Sequence, residues 1–293
     1  MRITNNLLQR EAIAGFQHNL REMHRAYKQA SSGLRFERPS EDPVATGATM
    51  RTDGRLRALE QYRRNIGLAR SRLSAEEDVL DQVTDLLTRA KTLAVANAGD
   101  TANAQTREAA RLEVEQLMAT AVQLGNTTFQ GSYLFGGQHA DTPPFAADGT
   151  FDVDRPPLGE RPVETSSGQL IATTHDGQTI FVDSQVFAAL QELSAALAAN
   201  DGAAIRSSIT TLDAAFSATQ NLLGEVGARV NALEVAETNV EAWSLHLQTF
   251  RSDLTEIELD EAISRLVNRQ TAYEAALLAN SRILQTSLTD YLR

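Results

Sequence analysis

Both ends of the chain carry apolar residues at the alternating three-and-four spacing of a heptad repeat. The N-terminal series is Ile13, Phe16, Leu20, Met23, Tyr27, Ala30 and Leu34. The C-terminal series has polar residues at some steps and runs through Ile263, Leu266, Tyr273, Leu277, Leu284 and Tyr291. Residues three and four apart share one face of a helix, so each series predicts a helix with an apolar stripe. Two such helices at opposite ends predict an antiparallel coiled coil, with the chain doubled back on itself.

The two terminal stripes are also predicted to contact neighbouring subunits. Ordering a residue costs about 1–2 kcal/mol of backbone entropy, and burying one large apolar side chain returns roughly 2 kcal/mol at best. For one pair of terminal helices these two free energies nearly cancel, so we expect the helices to become ordered only on assembly. The predicted assembly-interface residues are Ile13, Phe16, Leu20, Met23, Tyr27, Leu34, Ile263, Leu266, Tyr273, Leu277, Leu284, Leu288 and Tyr291.

Helical periodicity also covers most of the residues between the two ends. It predicts helices from about Thr46 to Asn97, from about Gln105 to Gly125, from Val186 to about residue 200, and onward from Ala203. The stripe of the first of these is apolar throughout except at Glu76. The stripe of the last continues through Trp243 and Phe250. We expect most of these stripes to form intramolecular core.

The segment 138–185 has a different character. Five of the seven prolines fall between residues 143 and 162, and helical periodicity disappears. Asp176-Gly177 lies between two segments rich in Thr, Ile, Phe and Val, a pattern that predicts a two-residue hairpin turn. The predicted fold is therefore mainly α, a long antiparallel helical rod with a small β-rich insertion. The predicted domains are 1–45 with 255–293, 46–137 with 186–254, and 138–185.

Composition narrows the class of protein further. The chain has no cysteine, which excludes disulfides and thiolate chemistry. No apolar run is long enough to span a membrane, and residues 1–10 lack the apolar core of a cleavable secretory signal. The net charge of −11 is uneven, because residues 1–72 are basic and the rest strongly acidic. Helices of opposite sign that pair with each other explain this better than nucleic-acid binding.

No catalytic, cofactor or metal motif stands out. No two of the five histidines lie one helical turn apart, so we expect them to be solvated and no metal to be bound. The acidic run Asp148–Asp154 has its Asp and Gly residues in the wrong order for a calcium loop of the EF-hand type. Bulky aromatic residues occupy the glycine-rich segment 131–137, where a phosphate would need backbone amides. We expect a protein that is not an enzyme and has no cofactor.

Several motifs, in order along the chain, resemble those of one family. Ser31-Ser32-Gly33-Leu34 followed by Pro39-Ser40-Glu41-Asp42-Pro43 resembles the N-terminal signature of bacterial flagellins and their junction relatives. Gly131-Ser132-Tyr133-Leu134-Phe135-Gly136-Gly137 and the ending Ser287–Leu292 are more similar to the hook–filament junction members of that family than to flagellin itself. The resemblance covers residues 1–137 and 203–293.

The resemblance implies a structural subunit of the bacterial flagellum that self-assembles as a ring or helical layer. It further implies another hook-associated protein below, flagellin above, an export apparatus and an export chaperone as partners. The location would be extracellular, on the flagellum, reached by export without a cleaved signal peptide. No nucleic acid and no membrane insertion are expected. A flagellin filament subunit is the main alternative; an intracellular coiled-coil adaptor and a surface enzyme acting through 138–185 are the others.

Overall fold

The computed structural model describes residues 2–99, 102–151 and 156–291, and its elements are mostly helical. The helices are α1 (Arg2–Ser32), α2 (Pro43–Asn97), α3 (Ala104–Gly125), α4 (Val186–Ala198), α5 (Gly202–Thr255) and α6 (Leu259–Tyr291). The strands are β1 (Thr128–Phe129), β2 (Ser132–Tyr133), β3 (Pro162–Ser166) and β4 (Gln169–Ala172), with a π-helical turn at Gln178–Asp183. About 74% of the chain is helical. The predicted mainly α fold with a small β-rich insertion is confirmed.

The chain divides into two compact units. The terminal unit comprises Met1–Ala58 and Trp243–Arg293, and the central unit comprises Leu59–Ala242. None of the helices in the described ranges has a stretch apolar and long enough to pass through a lipid bilayer.

In the terminal unit, α1 packs antiparallel against α6. The rings of Phe16 and Tyr273 lie 5.3 Å apart between centroids. Nearer the chain ends, the Asn280 side-chain amide donates to the Ala12 carbonyl at 3.2 Å. At the other end of the pair, the Arg35 amide donates to the Thr255 carbonyl at 2.7 Å and the Ile257 amide to the Gly33 carbonyl at 2.9 Å. The predicted pairing of the two chain ends is therefore confirmed.

The connection between α1 and α2 accounts for the proline-flanked acidic motif. The Asp42 carboxylate accepts the Ala45 amide at 2.9 Å and caps α2, whose first residue is Pro43. The Glu41 carboxylate accepts the Glu37 amide at 3.0 Å. That hydrogen bond is the main cause that holds the pKa of Glu41 below its usual value. The motif thus folds the turn by satisfying backbone amides that water would otherwise have to satisfy.

The core of the central unit is the predicted stripe of α2. Nearly every stripe position from Ile66 to Ala94 is completely buried, and the predicted core of α2 is confirmed. Buried positions of α3, α4 and α5 pack into the same core, among them Val114, Leu193 and Leu212. The stripe of α5 is buried or half-buried as far as Val240, but Trp243 and Phe250 are exposed. The expectation of core at those two positions is therefore wrong.

The hairpin predicted at Asp176-Gly177 is also wrong. The hairpin of the insertion is instead β3–β4, in which Val163 pairs with Ile171 and the turn passes through Gly168 with φ +78°. Gly177 has φ −66°, whereas a type I′ turn needs a positive φ. The Asp176 carboxylate accepts the Gly159 amide at 2.8 Å and the Thr179 amide at 2.9 Å. The Asp-Gly pair therefore starts a helical turn, because the side chain of Asp caps backbone amides as readily as it favours a hairpin.

Four phenylalanines tie the insertion to the helices. Phe181, in the π-helical turn, lies with its ring centroid 5.7 Å from that of Phe135, 5.4 Å from Phe145 and 5.1 Å from Phe187. A Cβ atom added to Gly125 would lie 2.7 Å from the ring of Phe145, so the ring packs directly on the end of α3. The insertion thus contributes two of its own rings to a core that it shares with α3 and α4.

Arg107 fastens three helix ends of the central unit together. Its buried guanidinium donates to the carbonyls of Asn97 and Gly99 at the end of α2, each at 3.1 Å. It also donates to the carbonyl of Asn200 at 2.8 Å, in the turn before α5. The planar fork of arginine satisfies several helix-end carbonyls at once, which lysine would not do.

The central unit also contains a buried acid–base contact. Glu76, the interruption of the α2 stripe, is fully buried, and its carboxylate lies 2.5 Å from Nδ1 of His175. The expectation that all five histidines are solvated is therefore wrong for His175, because the partner that keeps it buried lies 99 positions away in the sequence.

Candidate assembly interface

The terminal unit buries very little apolar surface of its own. Its buried apolar residues, among those whose side chains the structure describes, are Ala26, Ala45, Leu247 and Ala262. Fourteen of the twenty exposed large apolar residues in the described ranges belong to this unit, although the central unit is larger. Exposed apolar residues concentrated in this way mark a surface that another molecule covers.

The contact between α1 and α6 is made largely by small and polar residues. On α1 the half-buried or buried positions follow a heptad spacing through Ala12, Phe16, Asn19, Met23, Ala26 and Ala30. On α6 they are Ala262, Leu266, Tyr273, Ala276 and Asn280. We call these two sets the inner seam. Its alanines allow close approach of the helices, but they contribute little apolar burial.

The predicted interface residues divide between the inner seam and an outer face. Phe16, Met23, Leu266 and Tyr273 belong to the seam, and Leu20 beside it is half-buried. The exposed ones are Ile13, Tyr27, Leu34, Ile263 and Leu277. The side chains of Leu284, Leu288 and Tyr291 lie outside the described residues. The role of all thirteen in assembly stays a prediction.

The outer face extends the predicted stripe by residues that the sequence analysis did not include. On α6, exposed Leu259, Val267 and Leu278 lie with Ile263 and Leu277 within an arc of about 100° beside the seam, at 100° per residue. On α1, Ile13 and Tyr27 lie in the equivalent position beside their seam. In the sequence, these residues could have been identified because the apolar arc of each helix is wider than a contact between two helices needs. A helix with two adjacent apolar columns packs against two neighbours. In the described part of the chain these columns are covered on the seam side and exposed on the other.

Polar side chains flank the seam and set its register. Oε2 of Glu22 on α1 lies 3.6 Å from Nη2 of Arg269 on α6, and Oε1 of Glu22 lies 3.3 Å from Nη1 of Arg25 on its own helix. These pairs are exposed and each stabilises the unit by no more than about 1 kcal/mol. A cleft of about 340 Å³ next to them is lined by basic residues, including Arg21 and Arg38. These charged side chains favour one orientation of α1 relative to α6.

Within the described residues, no three His, Cys, Asp or Glu side chains converge in the way that metal binding requires. What the terminal unit presents is a broad apolar face on two paired helices. An apolar face of this kind packs against similar helices.

Comparison with known proteins agrees with this arrangement. Residues 3–140 match the model of the bacterial flagellin N-terminal helical region. Flagellar hook-associated protein 3 of Escherichia coli K12 is 25% identical over 305 residues, which cover 95% of this chain and 96% of the relative. A flagellin of Halalkalibacterium halodurans is 25% identical over 299 residues, the full length of both proteins.

A solved structure agrees as well. The crystal structure of Bacillus cereus FlgL superposes with a TM-score of 0.59 at 25% identity, covering 69% of this chain and 99% of that one. The family model, the full-length relatives and the shared fold all agree with the motifs quoted above. These findings support the identification of the chain as a structural component of the bacterial flagellum, of the hook-associated protein 3 (FlgL) type within the flagellin family.

Proposed function

We propose that the chain forms the layer that joins a hook-associated protein below to the flagellin filament above. The observation that carries this proposal is the outer apolar face of α1 and α6, which the single chain leaves uncovered. Copies of the chain would cover it for one another by packing their terminal helices side by side. Head-to-tail contacts of this kind build rings and helical layers.

The proposal includes the route and the place of assembly. The chain would leave the cell through the flagellar export apparatus, with an export chaperone, and without a cleaved signal peptide. It would then act outside the cell, with residues 46–137 and 186–254 as the helical rod and 138–185 as the outward insertion. The full-length resemblance to hook-associated protein 3 supports this position in the flagellum.

A filament subunit is the second candidate, because a flagellin matches over the full length of both proteins. Immunogold labelling of intact flagella separates the two functions. We expect one gold cluster at the filament base, and label along the whole filament would instead identify a flagellin. In a deletion strain we expect loss of motility, with flagellin released into the medium. A deletion strain that still builds full filaments would refute the junction role.

The terminal unit is expected to be less stable than the central unit in the isolated monomer. Its helices bury mainly alanine against each other, whereas the α2 stripe from Ile66 to Ala94 is almost fully buried. In hydrogen exchange by mass spectrometry, amides of residues 10–32 and 259–281 should exchange about 10³-fold faster than those of 66–94. In assembled flagella the difference should largely disappear. Equal protection of both regions in the monomer would contradict the idea that the terminal helices need neighbours.

A further inference from the structure

Glu76 and His175 form a buried acidic and basic pair that the assembly role does not use. Glu76 lies in the middle of the α2 stripe and is 0% exposed, and His175 of the insertion is 4% exposed. A lone buried charge is costly, so an ionisable group in this position needs a specific partner. An apolar residue would have continued the stripe without this cost. The pair therefore has a role other than filling the core.

The geometry places His175 between two carboxylates from two helices. Its Nδ1 lies 2.5 Å from Oε1 of Glu76 on α2, and its Nε2 lies 3.0 Å from Oε2 of Glu225 on α5. The backbone amide of His175 donates to both carboxylate oxygens of Glu76 at 3.2 Å. The insertion is thus held to α2 and α5 through one side chain.

The hydrogen-bond count decides the protonation of the ring. A neutral imidazole has one N–H, and its other nitrogen is an acceptor. Two carboxylate oxygens face the two nitrogens of His175, and a carboxylate is an acceptor only. With both glutamates ionised, both contacts are hydrogen bonds only if the ring carries a proton on each nitrogen. The charged imidazolium satisfies both carboxylates, whereas the neutral ring leaves one nitrogen lone pair against an oxygen lone pair.

We infer that Glu76, His175 and Glu225 form a proton-dependent latch that fastens the insertion segment 159–176 to α2 and α5. With the proton in place, the imidazolium donates to both helices. When the proton leaves, one of the two contacts becomes repulsive and the segment loosens. The latch depends only on contacts within the central unit and does not rest on the proposed function.

Other charged groups from each neighbouring element face the latch. Arg229 lies one turn after Glu225 on α5 and pairs with Glu160 of the insertion at 2.5 Å. Asp176, next to the histidine, is occupied by the amides of Gly159 and Thr179. Arg229 disfavours a positive charge on the ring, and the two glutamates favour it. The glutamates are in direct contact with the ring nitrogens, so their effect is the larger.

The direction of the effect of pH follows from these contacts. Burial lowers the pKa of His175, but the hydrogen bonds to Glu76 and Glu225 and the charge of Glu76 together outweigh burial and raise the pKa above its ordinary value. A raised pKa in the folded state means that the stabilisation is fully present below the unfolded-state pKa of about 6.5. It is then lost as the pH rises through the folded-state pKa. The latch is therefore closed in mildly acidic solution and opens as the pH rises through the raised pKa of His175.

The first test is NMR titration of the full-length chain labelled at histidine Cε1. We expect the midpoint of His175 to lie above the ordinary histidine value of about 6.5. Glu225→Gln removes a partner that is 61% exposed, so the fold persists, and the midpoint of His175 should fall. Arg229→Gln removes the opposing charge, and the midpoint should rise. A midpoint at or below the ordinary histidine value of about 6.5, or one that neither variant shifts, would overturn the latch.

The second test uses stability, with His175→Gln as the variant. The Tm of the wild-type chain should exceed that of the variant by about 2–4 °C at pH 6, and the difference should shrink as the pH rises through the folded-state pKa of His175. His24→Gln is the matched control, because His24 is exposed on α1, and this variant should show no such trend. A wild-type advantage that stays constant with pH would show packing without proton dependence and would refute the latch. If the variant does not fold, Glu225→Gln replaces it with the same expected trend.

Discussion

Ile263→Asp and Leu277→Asp, made singly, are expected to prevent incorporation of the chain into flagella while leaving the monomer folded. The two side chains are 48% and 44% exposed in the monomer, so a carboxylate there stays in water. In the assembly the same carboxylate would be buried without a partner, which costs several kcal/mol. A cost of about 3 kcal/mol at each contact lowers the association constant more than 100-fold. Motility and immunogold labelling measure incorporation, and thermal unfolding measures the monomer.

Asn268→Asp is the matched control on the same helix. It adds the same charge about 140° around α6 from Ile263, on the exposed polar side. We expect normal motility from this variant and an unchanged Tm. If Ile263→Asp and Leu277→Asp also gave motile cells with a normal gold cluster, the outer face would not be an assembly interface. If their monomers lost helix content, the two residues would belong to the intramolecular core instead.

Phe181→Ala is expected to lower the free energy of unfolding by about 3–5 kcal/mol. Phe181 is completely buried and lies within 6 Å of three other phenylalanine rings, measured between centroids. Removing the ring leaves a cavity among side chains that are fixed by helices, so little collapse can occur. Urea unfolding followed by circular dichroism measures the change from the shift in midpoint at constant m value.

Phe250→Ala provides the comparison for this prediction. Phe250 is 45% exposed on α5, so its loss should cost no more than about 1 kcal/mol in the monomer. A cost for Phe181→Ala below about 1.5 kcal/mol would mean that the four rings do not hold the insertion in place. The polar contacts of His175 and Glu160 would then be the main attachment.

The helices were predictable because their cause is local. The stripe of α2 repeats every three and four residues for more than eight turns, and no other secondary structure buries that pattern on one side. The α2 stripe from Ile66 to Ala94 therefore reached the core as predicted. The insertion was recognisable for a local reason as well, since its prolines interrupt the helical pattern. The hairpin of the insertion was predicted at the wrong place because an Asp-Gly pair can form either a hairpin turn or a helix cap. Here the Asp176 carboxylate accepts the amides of Gly159 and Thr179, which favours the cap.

The candidate interface was only partly predictable from periodicity. The heptad pattern of α1 selected Phe16 and Met23 together with Ile13 and Tyr27, although the first two are half-buried and the second two are exposed. The apolar arc is wider than one helix pair can cover, and the pattern alone does not say which column faces inward. The sequence did not indicate that Ala12 and Ala26 belong to the inner seam, because alanine is common on every face of a helix.

Heptad spacing and motif order are properties of the linear chain, and they were enough to predict which segments are helical, that the two ends pair, and which family the chain resembles. The tertiary structure decided which face of each terminal helix is left uncovered and why Glu76 is tolerated in an apolar stripe. Both depend on residues far apart in the sequence, such as Phe16 with Tyr273 and Glu76 with His175, that only folding brings into contact.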